Sequence, residues 1–311
     1  MADVVITEFM EDGAVASLSE RYDTLYDPDL VAKPEALAGQ LAGARALIVR
    51  NRTQVDENLL GGASALRVVG RLGVGLDNIA LEACRARDIA VIPASGANDD
   101  SVAEYVIAGA LMLRRGAYFD SADVAAGQWP RTRLMAGREV LGATLGLVGF
   151  GSIARATARR AAALGMRLLA HDPHVADDDP AWRDLNVVPR GLNALLEEAD
   201  VVSLHVPLGA DTRNLIDAAA LARMKSDAIL INSARGGVVD EQAVADALRA
   251  GRLGAAMLDV FETEPLPGGG PLADVPNLIL TPHIAGVTGE SNVRVSRMIA
   301  EKVSAALEAL A

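Results

Sequence analysis

Short aliphatic and β-branched runs alternate with stretches whose apolar residues recur every three or four positions, from one end of the chain to the other. That alternation predicts an α/β protein with parallel sheets. In the first third, Val4–Thr7, Ala46–Val49, Arg67–Gly70 and Ala90–Ile92 are expected strands, with helices such as Pro34–Leu41 and Ile79–Arg87 between them. A long helix is expected from a cap near Asp99 to Ser101 through Arg115, because Val102, Val106, Ala110 and Leu113 keep helical spacing. Tyr118 to Gly142, with Gly127, Trp129 and Pro130, is polar and irregular, and is expected to be an arm crossing between domains or subunits. Further strands are expected at Val201–Val206, Ala228–Asn232, Gly254–Val260 and Leu278–Thr281. A helix over Asp240–Ala250 is capped by Asp240 and stopped by Gly251. The last segment, Thr288 to Leu310, sets Val295, Met298, Ile299, Val303 and Leu307 on or near one helical face. A helix can return the chain to the domain it left. The expected division is therefore 1–99 plus 287–311, and 100–286.

The stretch Thr144 to Pro173 reads as strand, glycine turn, helix and second strand ending in an acid. Each part has a task in holding a dinucleotide. Gly149 permits the tight turn, and Gly151 lets the backbone approach a pyrophosphate. Ala154, where a third glycine is usual, is small enough for close helix–strand packing. Ser152 and Ile153 open a helix whose free N–H groups and positive dipole end face the phosphates. Gly165 ends that helix. Asp172 stands where a ribose-binding acid is expected, and it should accept from both hydroxyls and repel a 2′-phosphate. No Arg or Lys follows at Pro173 or His174. The expected cofactor is NAD rather than NADP, and 100–286 is the expected NAD-binding domain.

Composition narrows the classes. The 311 residues suit about two domains. No apolar run approaches the roughly 20 residues of a membrane span, and the acidic start MADVVITEFMEDG does not read as a secretory signal. A net charge of −12 argues against a nucleic-acid partner. Cys84 is the only cysteine, which fits a reducing cytoplasm. Lysine occurs only at 33, 225 and 302. A GC-rich genome and a salt-adapted acidic surface both account for that.

Four short motifs follow the dinucleotide unit: SLHVPL around His205, NSARGGVVDE around Arg235, LDVFETEP around Glu264 and TPHIAG around His283. Their order and spacing after GFGSIA resemble the D-isomer-specific 2-hydroxyacid dehydrogenases over essentially the whole chain. The resemblance implies two Rossmann-like or flavodoxin-like domains with a cleft between them, closing over a small anionic 2-hydroxy acid. It implies His283 as the acid/base, with Glu264 on the other ring nitrogen stabilising imidazolium. Arg235 follows a strand in a glycine-flanked turn, where ligands of open α/β folds bind. Its guanidinium can grip a carboxylate in two-pronged fashion and polarise the C2 carbonyl. Imidazole suits proton transfer because it titrates near working pH. The resemblance further implies that Asp259 lies near the nicotinamide carboxamide, and that His205, Pro207 and Thr212 line the adenine and phosphate side. Backbone contacts to the nicotinamide are expected from Ser233 and Ala234, and Gly286 joins His283 beside the cofactor. No metal is expected, and a homodimer through the cofactor domains is implied.

Substrate recognition is expected in the first domain. RLGVGLDN offers closely spaced N–H groups around Val74 and Gly75, a carboxylate nest. Arg50 and Arg52 are expected on one side of an extended strand end by alternation, and with Arg71 they form a pocket for a second anionic group. Phosphoglycerate dehydrogenases carry comparable arginines. IVRNRT and GRLGVGLDN are also similar to segments of bacterial sulfolactate dehydrogenases, and the short chain favours (S)-3-sulfolactate. D-3-phosphoglycerate oxidation, glyoxylate or hydroxypyruvate reduction, phosphite oxidation and an NAD-sensing corepressor-like binding protein are the other readings. Formate dehydrogenases carry Gln where this chain has Glu264.

Overall fold

The computed structural model describes residues 2–310. They form two compact units, one of the residues up to Asn98 together with those from Val287, the other Asp99–Gly286. Each unit is built on an entirely parallel sheet.

In the first unit the strands are β1 (Val4–Ile6), β2 (Thr24–Tyr26), β3 (Ala46–Val49), β4 (Val68–Arg71) and β5 (Ala90–Pro93), in the order β2-β1-β3-β4-β5. This is the flavodoxin-like order. Strands β1 and β3 are buried at every residue, because helices cover both faces of a parallel sheet. Successive side chains point to opposite layers. Leu47 and Val49 pack with Leu37, Leu41 and Leu60, while Ile48 packs with Ile299, Val303 and Leu307 of the last helix. That helix, Gly289–Glu308, starts with a reciprocal cap: Ser291 N–H donates to Thr288 Oγ1, and Thr288 N–H donates to Ser291 Oγ. Gly70 lets it settle on the sheet, since a Cβ there would stand 2.8 Å from both Ile299 Cγ2 and Val303 Cγ2. The expected helix over Ile79–Arg87 is only Leu81–Arg85. Ile79 instead bridges Val55, and Ala80 N–H donates to Val55 O.

The second unit holds β6 (Thr144–Val148), β7 (Arg167–His171), β8 (Val187–Pro189), β9 (Val201–Leu204), β10 (Ile229–Asn232), β11 (Ala255–Leu258) and β12 (Leu278–Leu280). Their order is β12-β11-β10-β9-β6-β7-β8. The chain winds outward from β6 to β8, then returns to β9 on the other flank of β6. In open α/β sheets ligands bind at that reversal, outside the carboxyl ends of the strands. The long helix, Asp99–Arg115, lays Val106, Ala110 and Leu113 against Leu145, Leu147 and Ile231. Two expectations change here. Strand β9 stops at Leu204, two residues short, because the chain turns away toward Pro207. The stretch from Tyr118 to Gly142 is not wholly irregular: it contains short helices Ser121–Ala125 and Arg131–Leu134, and it belongs to this unit. Among the described residues no helix is long and apolar enough to cross a membrane.

Candidate active site

The turn between β6 and the next helix, Ser152–Ala163, has the geometry its glycines predict. Gly149 has φ +91°, and a Cβ on it would stand 2.6 Å from the His205 carbonyl oxygen. A Cβ on Gly151 would meet nothing within 4 Å, so that flank is open. No side chain caps the helix, which leaves the Ser152 and Ile153 amides, its first N–H groups, without intrahelical acceptors. Ala154 is completely buried. Behind the turn, Phe150 stacks on Trp182 at 4.3 Å and Arg155 lies over its other side. The Asp172 carboxylate braces the turn: Oδ2 accepts from Phe150 N–H at 2.8 Å and Oδ1 from His174 N–H at 2.9 Å. Each oxygen keeps a further lone pair for a ribose hydroxyl. An open glycine flank, uncapped amides and this acid together fit a dinucleotide.

Arg235, Glu264 and His283 follow β10, β11 and β12, three neighbouring strands, at their carboxyl ends. His283 Nδ1 lies 2.7 Å from Glu264 Oε2, and Glu264 Oε1 accepts from Phe261 N–H at 3.0 Å. The carboxylate thus fixes the ring and leaves Nε2 as the nitrogen that can meet a substrate. Half-buried Arg235 sits in a turn stapled by Asn232, whose Nδ2 donates to Arg235 O and whose Oδ1 accepts from Ala234 N–H. A Cβ on Gly236 would fall on the Phe261 carbonyl, so the Arg235 turn and the Glu264 loop are pressed backbone to backbone. Ser233 Oγ is buried with no partner among the described residues, an unused hydroxyl at the end of β10.

The remaining expected cofactor residues are placed more variously. Asp259 is fully buried and takes Thr281 Oγ1–H, Ile284 N–H and Ala285 N–H on its carboxylate. It therefore holds the loop that carries His283. His205 puts Nε2 3.0 Å from Ser203 Oγ, and burial pushes its pKa down to about 4, so the ring is neutral at neutral pH. Thr212 spends its hydroxyl inside its own loop, donating to Pro207 O and accepting from Gly209 N–H. Gly286 is the last residue of the unit.

In the first unit, alternation does not govern Arg50 and Arg52, because β3 ends at Val49 and the chain turns. The turn wraps a carboxylate that sequence reading missed. Buried Glu8 accepts from Arg50 N–H at 2.9 Å and Thr53 N–H at 3.0 Å on Oε1, and from Arg52 N–H at 3.2 Å on Oε2. Asn78 Nδ2 clamps the same turn by donating to Arg50 O and Thr53 O. The Arg50 side chain reaches Phe9 O and Asn292 Oδ1, and its burial lowers its pKa against the opposing pull of Glu8. Arg52 is exposed. Arg71 ends β4, in register with Val49, and its Nη1 donates to Leu72 O. The Val74 and Gly75 amides have no partner among the described residues.

Residues 107–285 match the family model described as D-isomer specific 2-hydroxyacid dehydrogenase, NAD binding domain. The chain is 58% identical over 307 residues to a protein of Chromohalobacter salexigens named (S)-sulfolactate dehydrogenase, covering 99% of each. It is 38% identical over 310 residues to the D-3-phosphoglycerate dehydrogenase of Mycobacterium leprae, covering 98% of this chain but 56% of that one. Among solved structures, D-lactate dehydrogenase of Aquifex aeolicus, complexed with NAD and lactic acid, superposes with a TM-score of 0.85 at 27% identity. That match covers 98% of this chain and 96% of the other.

Proposed function

This chain belongs to the D-isomer-specific 2-hydroxyacid dehydrogenases, NAD-dependent oxidoreductases, and from that premise we propose that it interconverts (S)-3-sulfolactate and 3-sulfopyruvate. The His283–Glu264 bond carries the chemical part of the reading. During oxidation, His283 Nε2 takes the C2 hydroxyl proton while Glu264 balances the imidazolium that forms. Bound NAD supplies the hydride acceptor. Ser152, Ile153 and Asp172 hold its phosphates and ribose, and the Asp172 carboxylate selects NAD over NADP. Arg235 grips the substrate carboxylate and polarises the C2 oxygen. Reduction runs the same proton back from His283.

Arg50, Arg52 and Arg71, with the free Val74 and Gly75 amides, are the groups proposed to take the substrate's second anionic group. The near full-length match to the sulfolactate enzyme favours a sulfonate there. The second reading is D-3-phosphoglycerate, supported by the Mycobacterium leprae relative, of which this chain spans just over half. Initial rates with NAD and sulfolactate, 3-phosphoglycerate, glycerate, D-lactate and phosphite test the proposal. Sulfolactate should give the highest kcat/KM, and a higher value with 3-phosphoglycerate would replace it by the second reading.

A homodimer is part of the same proposal. Trp129, Met135 and Leu141 are 77%, 75% and 71% exposed in the 118–142 stretch, a concentration of apolar surface suited to a partner. Sedimentation at the mass of one chain would remove this element. A buried free Cys84 supports a cytoplasmic setting.

A further inference from the structure

Tyr105 lies far from the catalytic motifs in sequence, on the Asp99–Arg115 helix, yet its hydroxyl stands 2.6 Å from Thr281 Oγ1. Thr281 Oγ1 in turn donates to Asp259 Oδ1 at 2.6 Å. A threonine hydroxyl has one proton, so with that proton committed to Asp259 the Tyr105 hydroxyl must be the donor to Thr281. The bonds therefore run in one direction, tyrosine to threonine to carboxylate. Asp259 then collects the loop that follows β12: its Oδ1 also takes Ile284 N–H, its Oδ2 takes Ala285 N–H, and its main-chain oxygen takes His283 N–H, each at 2.8 Å. His283 itself has φ +53°, a left-handed backbone that a non-glycine residue holds only when its surroundings impose it. Burial raises the Tyr105 pKa, which keeps the hydroxyl a donor at any pH the enzyme meets.

We infer that Tyr105 is a positioning residue for His283, acting through Thr281 and Asp259 to hold the imidazole in the orientation that proton transfer requires. The inference rests on the assignment of His283 as the acid/base. It adds to that assignment a third element, the long helix, beside the two strand ends already in contact with the histidine. Aligned bonds of this kind polarise one another, so removing the terminal donor weakens the grip of the whole chain on the loop.

The test compares Tyr105→Phe, Thr281→Val, Thr281→Ser, the Phe/Val double variant and His283→Ala in the full-length protein. Readouts are kcat and KM for both substrates, together with the thermal midpoint. Tyr105→Phe keeps the ring and its packing. Its expected effect is a kcat lower by on the order of fivefold, as for one lost hydrogen bond, with KM for NAD within about twofold. Thr281→Ser should keep most of the turnover and Thr281→Val should lose it. The double variant should fall less than the product of the single effects, as residues in one network do. Unchanged kcat in both Tyr105→Phe and Thr281→Val, or losses that multiply, would overturn the inference while leaving His283 in place. Retained turnover in His283→Ala would instead remove the assignment beneath it. If Tyr105→Phe lowers the thermal midpoint with kcat intact, the hydroxyl is merely structural and the inference fails.

Discussion

Glu264 presents its two oxygens to two different partners, and the one facing His283 is kept in place by the other. Phe261 N–H holds Oε1 while Oε2 receives His283 Nδ1. The carboxylate cannot swing from the ring without also abandoning a main-chain donor. His283→Ala should therefore lower turnover at least about a hundredfold through lost acid/base catalysis, measured as initial rates. Glu264→Gln should keep the ring's place yet lose part of that rate, because a neutral amide does not balance imidazolium. Near-normal turnover in His283→Ala would end the proposed chemistry.

Arg235→Lys tests the shape of the cation rather than its charge. Lysine lacks the planar fork, so kcat/KM for the 2-hydroxy acid should fall by more than about tenfold, with NAD affinity little changed. Unaltered kinetics would place Arg235 outside the site.

Asp172 should make the wild-type enzyme prefer NAD over NADP, read as the ratio of the two kcat/KM values. Asp172→Ser should narrow the ratio. It should also weaken NAD itself, since the same carboxylate braces the Phe150 and His174 amides. A wild-type preference for NADP contradicts the assignment.

Arg52→Ala should raise KM for sulfolactate while leaving rates with D-lactate, which has no second anion, within about twofold. Glu8→Gln should act in the same selective way, because it loosens the turn that presents Arg50 and Arg52. Equal losses with both substrates would mean that the turn serves folding alone.

Half-buried His205 gives the stability curve a specific slope. Its ring titrates near 6.5 in the unfolded chain and about 4 in the folded one. Between those values the unfolded chain carries the extra proton, so stability rises with pH across the window. The contribution is complete above pH 6.5 and is lost as pH falls toward 4, by at most about 3 kcal/mol. Denaturant unfolding of the wild type and His205→Asn at pH 4.5 and 7.5 checks it. The wild type should lose stability relative to His205→Asn between pH 7.5 and 4.5, and an unchanged difference would contradict the shift.

What could be read from the chain was whatever depends on near neighbours. GFGSIA and the acid at 172 announce a nucleotide turn because strand, turn, helix and strand are contiguous. The short motifs around Arg235, Glu264 and His283 stand at strand ends for the same reason. What escaped depends on partners far away in sequence. Glu8 lies in an apolar-looking segment, and its meaning comes from amides more than forty residues on. Tyr105 looked like one more residue of an amphipathic helix, and its hydroxyl's partner is 176 positions later. Periodicity failed where a tertiary contact overrode it. Arg50 and Arg52 were expected to alternate, but Glu8 curls their backbone into a turn.

The meeting of Gly236 with the Phe261 carbonyl bears on how such an enzyme could acquire new substrates. Even one methyl at 236 would push the arginine turn off the glutamate loop, so that position admits no side chain. Arg52 and the 73–75 segment sit in the other compact unit, which has its own interior. On the proposed reading, changes there would swap one acid for another and leave the His283–Glu264 pair intact.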